Sequence, residues 1–143
     1  MKYLFTILLS SLLFAACSSS QMATVSMDPV HFDACAQQTD LTSNDTYTGE
    51  TVDNVVLDQQ GKLVYVTMDV RTYCNSELSI EMKQSENKIM LMLANSNTAN
   101  DNCVCIKKAR TALRDLSAGT YDLRITDKTG YRLLDQKTIT VAE

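Results

Sequence analysis

The stretch Leu63-Val64-Tyr65-Val66-Thr67-Met68-Asp69-Val70 decides the fold class of this chain. Every second residue from Val64 onward is apolar, whereas Asp69 falls on the opposite face and marks that face as solvent-exposed. Successive side chains of a β-strand point to opposite faces of the sheet, so this period of two predicts a half-buried strand.

The sequence on both sides continues this pattern as two hairpins. Residues 55–57 lead into the turn Asp58-Gln59-Gln60-Gly61, which precedes the quoted stretch. Residues 78–82 then alternate between apolar and polar, Ser85-Glu86-Asn87 supplies a second turn, and residues 89–93 return as a continuous apolar run. Such a run is typical of a central or covered strand.

The segment Leu116-Ser117-Ala118-Gly119-Thr120-Tyr121 looks like the tyrosine corner of Greek-key sandwiches. In such a corner the ring packs at the start of a strand and its hydroxyl bonds to nearby backbone, so Gly119 and Tyr121 are predicted structural residues. Alternation after Tyr121, a turn at 127–130 and a last strand over 133–141 complete the pattern. Short strands with regularly spaced turns predict an all-β, Greek-key antiparallel β-sandwich of six to eight strands over residues 51–143.

The segment 103–116 fits two secondary structures. The apolar residues of this segment match the i, i+3, i+4, i+7 spacing of one helix face; they are Ala109, Ala112, Leu113 and Leu116. Alternation from Cys105 to Leu113 fits a strand equally well, and periodicity alone leaves both open.

Four cysteines fall in the predicted domain and its approach: Cys35, Cys74, Cys103 and Cys105. An even number in an exported chain indicates two disulfides. A bridge between Cys103 and Cys105 is disfavoured, because side chains two apart on a strand do not converge. Two connectivities remain, and both join the Cys103/Cys105 segment to Cys35 and to Cys74.

The N-terminus has the organisation of a signal peptide over residues 1–16. Lys2 is the charged start, residues 3–14 form an apolar run too short to span a bilayer, and Ala15-Ala16 is a small pair before Cys17. Phe14-Ala15-Ala16-Cys17 resembles the lipobox of bacterial lipoproteins, which implies that Cys17 is acylated and begins the mature chain. Residues 17–50 are then expected to form the lipidated tether and a loosely structured arm pinned at Cys35.

Several features together resemble a group of small, uncharacterised lipoproteins, many from Bacteroidetes, that have an Ig-like β-sandwich. The features are Cys74, the strand at 89–93, the motif Cys103-Val104-Cys105 and the corner at 116–121. The resemblance implies an Ig-like fold, and it favours a strand over 103–116. It implies no activity.

Charge and composition argue against a nucleic-acid partner. Without Lys2 the side chains comprise twelve Lys and Arg against seventeen Asp and Glu, a formal charge of −5. A nucleic-acid surface needs clustered basic residues.

No catalytic constellation is recognisable in the sequence. The single histidine, His31, lies in the predicted arm, and no G-x-S-x-G or H-E-x-x-H motif is present. An alternative is a copper-binding or thiol-redox protein that uses Cys103 and Cys105 with the nearby Met90 and Met92, since thiolate and thioether ligands select Cu(I). Disulfide formation would remove the thiolates that a metal needs.

These observations predict a non-catalytic binding or structural module without a cofactor. Its expected partners are the lipid bilayer, through acyl chains on Cys17, and an unknown envelope protein or glycan. Ser18 is the non-acidic residue that the lipoprotein resemblance associates with delivery to the outer membrane of a Gram-negative bacterium.

Overall fold

The structure is a computed structural model that describes residues 24–42, 46–96 and 102–143. The predicted signal peptide, Cys17 and Ser18 lie outside these residues. Ten strands are present: β1 Ser26–Met27, β2 His31–Phe32, β3 Ala36–Asp40, β4 Thr51–Gln60, β5 Leu63–Tyr73, β6 Leu78–Ser85, β7 Lys88–Asn95, β8 Cys103–Arg114, β9 Gly119–Asp127 and β10 Leu133–Val141. No helix among the described residues is long and apolar enough to cross a bilayer.

The strands form two sheets packed as a sandwich, which confirms the predicted all-β fold. The first sheet has the order β1-β8-β5-β4, with β2 and β3 also paired to β8, and the second has the order β10-β9-β7-β6. The two predicted hairpins are β4–β5 and β6–β7. The turn of the first hairpin is shorter than predicted: Asp58, Gln59 and Gln60 still pair within β4, so only Gly61 and Lys62 form the turn. The ambiguous segment is the strand β8, because it pairs with β5 from Val64↔Leu113 to Tyr73↔Val104.

Side chains from both sheets meet in one apolar core. Each alternate residue of β5 from Val64 to Thr72 is fully buried, and Ile89 and Leu91 of β7 are buried opposite. Tyr65, on the outer face of β5, is 41% exposed. Full burial of an aliphatic side chain stabilises a fold by roughly 1.5–3 kcal/mol, so the period of two is the main source of stability here.

The N-terminal arm is more ordered than the sequence predicts. Its residues form β1, β2 and β3, which follow one another along β8 from Ser26↔Arg114 to Asp40↔Cys103. Without them β8 would present unpaired backbone groups at an open edge. Residues 51–143 contain seven strands, β4 to β10, which agrees with the predicted six to eight, and the arm adds three short strands.

Two arginines of β8 also hold the arm. Arg110 donates two hydrogen bonds to the Asp33 carboxylate, at 3.0 and 2.7 Å, and Arg114 makes a similar pair with Asp28. Paired Arg–carboxylate bonds fix geometry more firmly than single contacts do. The arm is therefore part of the sheet.

One strand pairing differs from the antiparallel expectation, since β7 and β9 pair in parallel. The chain leaves the second sheet after β7, runs back along the first sheet as β8, and re-enters the second sheet as β9. The chain reverses direction between β7 and β8 and again between β8 and β9, so β9 runs the same way as β7. Parallel neighbours need such a long crossover.

The predicted tyrosine corner is present at the start of β9. The Tyr121 hydroxyl accepts a hydrogen bond from the Ser117 N–H at 3.0 Å and lies 3.2 Å from the Ser117 carbonyl, to which it donates. Tyr121 is buried, and Gly119 has a φ of +145° that a side chain would strain. The corner closes the end of the sandwich opposite the disulfides.

Candidate functional site

An open cleft of about 490 Å³ lies at the disulfide end of the sandwich. Residues 47–50 form one side, the ends of β5 and β7 form the floor, and the loop between β9 and β10 forms the other side. Its residues come from both sheets. Clefts of ~300–1,000 Å³ are typical of small-molecule sites.

Two tyrosines make an aromatic wall in this cleft. The rings of Tyr47 and Tyr73 have centroids 4.3 Å apart and planes tilted by 54°. The Tyr47 hydroxyl donates to the Arg71 carbonyl at 3.3 Å. Burial, together with the nearby Glu50 carboxylate, raises the pKa of Tyr47 to about 12, so this hydroxyl stays protonated at neutral pH.

The floor of the cleft is fixed by hydrogen bonds between neighbouring polar side chains. The Asn95 amide donates to Glu50 and to Ser76, each at 2.8 Å. Ser76 is buried and also accepts from the Thr72 hydroxyl at 2.7 Å. Lys107 donates to the Ser76 carbonyl at 2.5 Å. A satisfied network of this kind holds Glu50 and Asn95 in defined positions before any ligand arrives.

The β9–β10 loop is also rigidly held. The Asp127 carboxylate accepts from the Thr129 N–H at 3.1 Å and from its hydroxyl at 2.6 Å. The bond from the Thr129 hydroxyl lowers the pKa of Asp127 below its usual value. The Arg132 guanidinium donates to the carbonyls of Glu50 at 2.7 Å and Thr48 at 3.4 Å, which joins the loop to the opposite side of the cleft.

Both disulfides lie at the cleft end, and the structure settles the open connectivity as Cys35–Cys105 and Cys74–Cys103. Cys74 directly follows Tyr73, and its N–H donates to the Cys103 carbonyl at 3.0 Å. The bridge and this hydrogen bond fix the end of β5 against the start of β8. They thereby position the Tyr73 ring in the cleft.

The soft-metal ligand set considered from the sequence is only partly assembled. The sulfurs of Cys35, Cys74 and Cys105 all lie within 4.8 Å of one another. Met90 and Met92 belong instead to β7 of the second sheet, on the face opposite the core residues Ile89 and Leu91. In the oxidised form the four domain cysteines are disulfide-bonded, and thiolate coordination would require prior reduction.

The remaining predicted residues lie away from the cleft. His31 starts β2 and is exposed, 3.4 Å from the Asp33 carboxylate. Gly119 and Tyr121 are at the opposite end of the sandwich. A second depression of about 310 Å³ beside the arm holds Asp69, which already pairs with Lys108 at 2.9 Å.

Sequence patterns miss the cleft residues Tyr47, Glu50, Asn95 and Arg132. Tyr47 and Glu50 lie in one segment, but Asn95 and Arg132 are separated from it and from each other by long stretches of chain, and none of the four belongs to a recognisable motif. A usable signal is the placement of Tyr73 and Asn95 at the last positions of their strands, since strand ends from two sheets meet at one end of a sandwich.

The fold and the cleft define the class of this protein as a disulfide-bonded β-sandwich with an open polar cleft at one end. Comparison with protein-family models, with curated proteins and with solved structures gave no match.

Proposed function

We propose that this chain is a lipid-anchored, non-catalytic binding module of the bacterial cell envelope. Acyl chains on Cys17 hold it in the outer membrane of a Gram-negative bacterium, and the cleft binds another envelope component. The lipobox-like residues 14–17 support the anchor, and the preformed cleft supports the binding role.

The observation that carries this proposal is the separation between the cleft and the start of the described chain. Ser26 pairs with Arg114 at one end of β8, whereas Tyr73 of the cleft pairs with Val104 at the other. Ten residues of β8 separate these positions, or ~33 Å at the usual rise of a strand. The chain from Cys17 to Thr24 reaches at most ~25 Å. An anchor at Cys17 therefore lies nearer the corner end than the cleft, which favours an orientation in which the cleft faces away from the lipid.

The charges of the cleft support binding without proton transfer. At neutral pH Asp127 is ionised and Tyr47 neutral, and the lowered pKa of Asp127 and the pKa of Tyr47, raised to about 12, move both groups further from titrating there. General acid–base catalysis favours groups that titrate near the working pH. These two groups are suited to permanent hydrogen bonding.

The anchor is tested by expressing the full chain in a Gram-negative host fed with an alkyne analogue of palmitate. We expect the wild type to carry the label and to fractionate with membranes, whereas Cys17→Ala loses both. Ser18→Ala is the matched control and should keep both. An unlabelled wild type, or a Cys17→Ala chain that remains labelled, would overturn the proposal.

A further inference from the structure

We propose that the cleft is a site for a neutral oligosaccharide, with the exposed ring of Tyr131 extending its binding surface. This inference rests on the proposed binding function and names the chemical class of its ligand. Four observations carry it: an exposed aromatic residue at the rim, the aromatic wall inside, compensating charges, and a volume suited to a few sugar rings.

Tyr131 is an exposed aromatic residue in the loop between β9 and β10, next to residues that line the cleft. Its side chain is 93% exposed, although it lies between Thr129 and Arg132, which both line the cleft. Leu133, two residues further on, is 50% exposed. The backbone here is held by the bonds of Asp127 and Arg132, and the Tyr131 N–H lies 3.3 Å from the Thr129 hydroxyl oxygen. Because the loop is already ordered, a ligand that stacks on Tyr131 loses little conformational entropy of the protein.

The aromatic wall matches one face of a sugar ring. The face of a tyrosine ring carries partial negative charge and attracts C–H groups, which are slightly positive. A pyranose presents such C–H groups on one face and hydroxyls around its edge. Tyr47 and Tyr73 supply rings beside polar groups, which is the combination that an amphipathic polyhydroxylated ligand requires.

The charges lining the cleft cancel. Glu50 and Asp127 contribute two negative charges, and Lys128 and Arg132 contribute two positive charges. A strongly anionic or cationic ligand gains little from such a balanced site. A neutral ligand with many hydroxyls can use both kinds of group, as donors to the carboxylates and as acceptors from the cations.

The polar groups have capacity beyond their present contacts. A carboxylate accepts about four hydrogen bonds and a guanidinium donates five, so Glu50 and Arg132 can bind ligand hydroxyls while keeping the bonds described above. Asn95 holds Glu50 in place at 2.8 Å. The volume of about 490 Å³ gives room for two or three sugar rings, with Tyr131 outside the cleft proper.

Saturation-transfer NMR on the lipidated full chain in nanodiscs tests this inference. The neutral probes are maltotriose, cellotriose and tri-N-acetylchitotriose, and the charged probes are trigalacturonate and the de-acetylated chitosan trimer. We expect transfer to the C–H protons of at least one neutral trisaccharide and weaker transfer to both charged probes.

Two tyrosine variants test whether the bound trisaccharide contacts Tyr131. Tyr131→Ala should weaken binding of the responding trisaccharide by about tenfold, as expected for loss of one aromatic contact. Tyr65→Ala is the matched control because Tyr65 is also exposed but lies on the outer face of β5, near the opposite end of the sandwich. It should leave the affinity unchanged.

Three outcomes overturn the inference: no response from any neutral probe, stronger binding of a charged probe, or equal affinity of Tyr131→Ala and the wild type. None of these affects the palmitate labelling at Cys17. The failure of the saccharide site can thus be distinguished from a failure of the anchor.

Discussion

Asp127 shows how one side chain organises the edge of the cleft. Its carboxylate oxygen Oδ1 accepts from the Thr129 N–H and hydroxyl, and it lies 3.4 Å from the Arg132 N–H. Asp and Thr side chains commonly bond to backbone two residues away in turns. Here those bonds set the position of Tyr131, so a single carboxylate determines the shape of the proposed binding surface.

The order of this loop is predicted to depend on pH. The pKa of Asp127 is lowered from 3.8, chiefly by the hydrogen bond from Thr129, so the charged form is favoured in the folded protein. A lowered pKa stabilises the loop above pH 3.8, and this stabilisation is lost as the pH falls through the folded-state value. The Thr129 amide resonance should titrate with a midpoint below 3.8. A midpoint at or above that value would contradict the assignment.

At the scale of elements, β8 connects the parts of the domain. It pairs with β5 along one edge and with the three short arm strands along the other. Both disulfides also attach to it, through Cys103 and Cys105. Its own sequence fits a helix or a strand, so these neighbours decide its conformation.

The two disulfides are predicted to contribute unequally to stability. Cys35–Cys105 joins residues 70 apart and Cys74–Cys103 joins residues 29 apart. The chain-entropy relation gives roughly 4.5 and roughly 3.5 kcal/mol for loops of these lengths. Replacing either pair of cysteines by serine should lower the free energy of unfolding, measured in urea, by a large share of the ~5–15 kcal/mol typical of a domain. The loss should be greater for the Cys35/Cys105 pair than for the Cys74/Cys103 pair.

Controls for this comparison are available in the same chain. Cys17→Ala should leave the unfolding midpoint of the domain unchanged, because neither disulfide involves Cys17. Alkylation of the native protein without reductant should detect no free thiol among the four domain cysteines. Two or more free thiols, together with tight Cu(I) binding, would instead favour the copper-binding or thiol-redox alternative.

At the scale of the whole molecule, the two ends of the sandwich have different roles. One end carries the tyrosine corner and the start of the described chain, and the other carries the disulfides and the cleft. Every long strand runs between these ends. The proposed anchor at Cys17 would place the corner end nearer to the bilayer than the cleft end.

This orientation predicts that the corner end of the sandwich lies closer to the lipid headgroups than the cleft end does. Lys62 lies in the β4–β5 turn at the corner end, where its carbonyl accepts from the Leu116 N–H at 3.4 Å, and Lys128 lies at the cleft end. With a fluorophore on Lys62→Cys or on Lys128→Cys, a quencher attached to lipid headgroups should quench position 62 more strongly. The same labels on Cys17→Ala chains should show no difference. Stronger quenching at position 128 would reverse the proposed orientation.

The sequence by itself determined the features that depend on near neighbours along the chain. The alternation of β5, the turns of the two hairpins and the corner at Tyr121 are local patterns, since side-chain facing and turn geometry are set within a few residues. The expected number of disulfides also followed from the sequence, from an even number of cysteines in a chain with a predicted signal peptide.

Only the tertiary structure decided which distant residues meet. The pairing of Cys35 with Cys105, the order of the arm along β8 and the parallel contact of β7 with β9 depend on sheet packing. The cleft is the extreme case, because Tyr47 and Arg132 are distant in the sequence and become neighbours through strand ends from two sheets. Contacts between distant residues form when both sheets bury their apolar faces in one core. Local periodicity predicts which face of a strand is buried, but it does not predict which other strand that face meets.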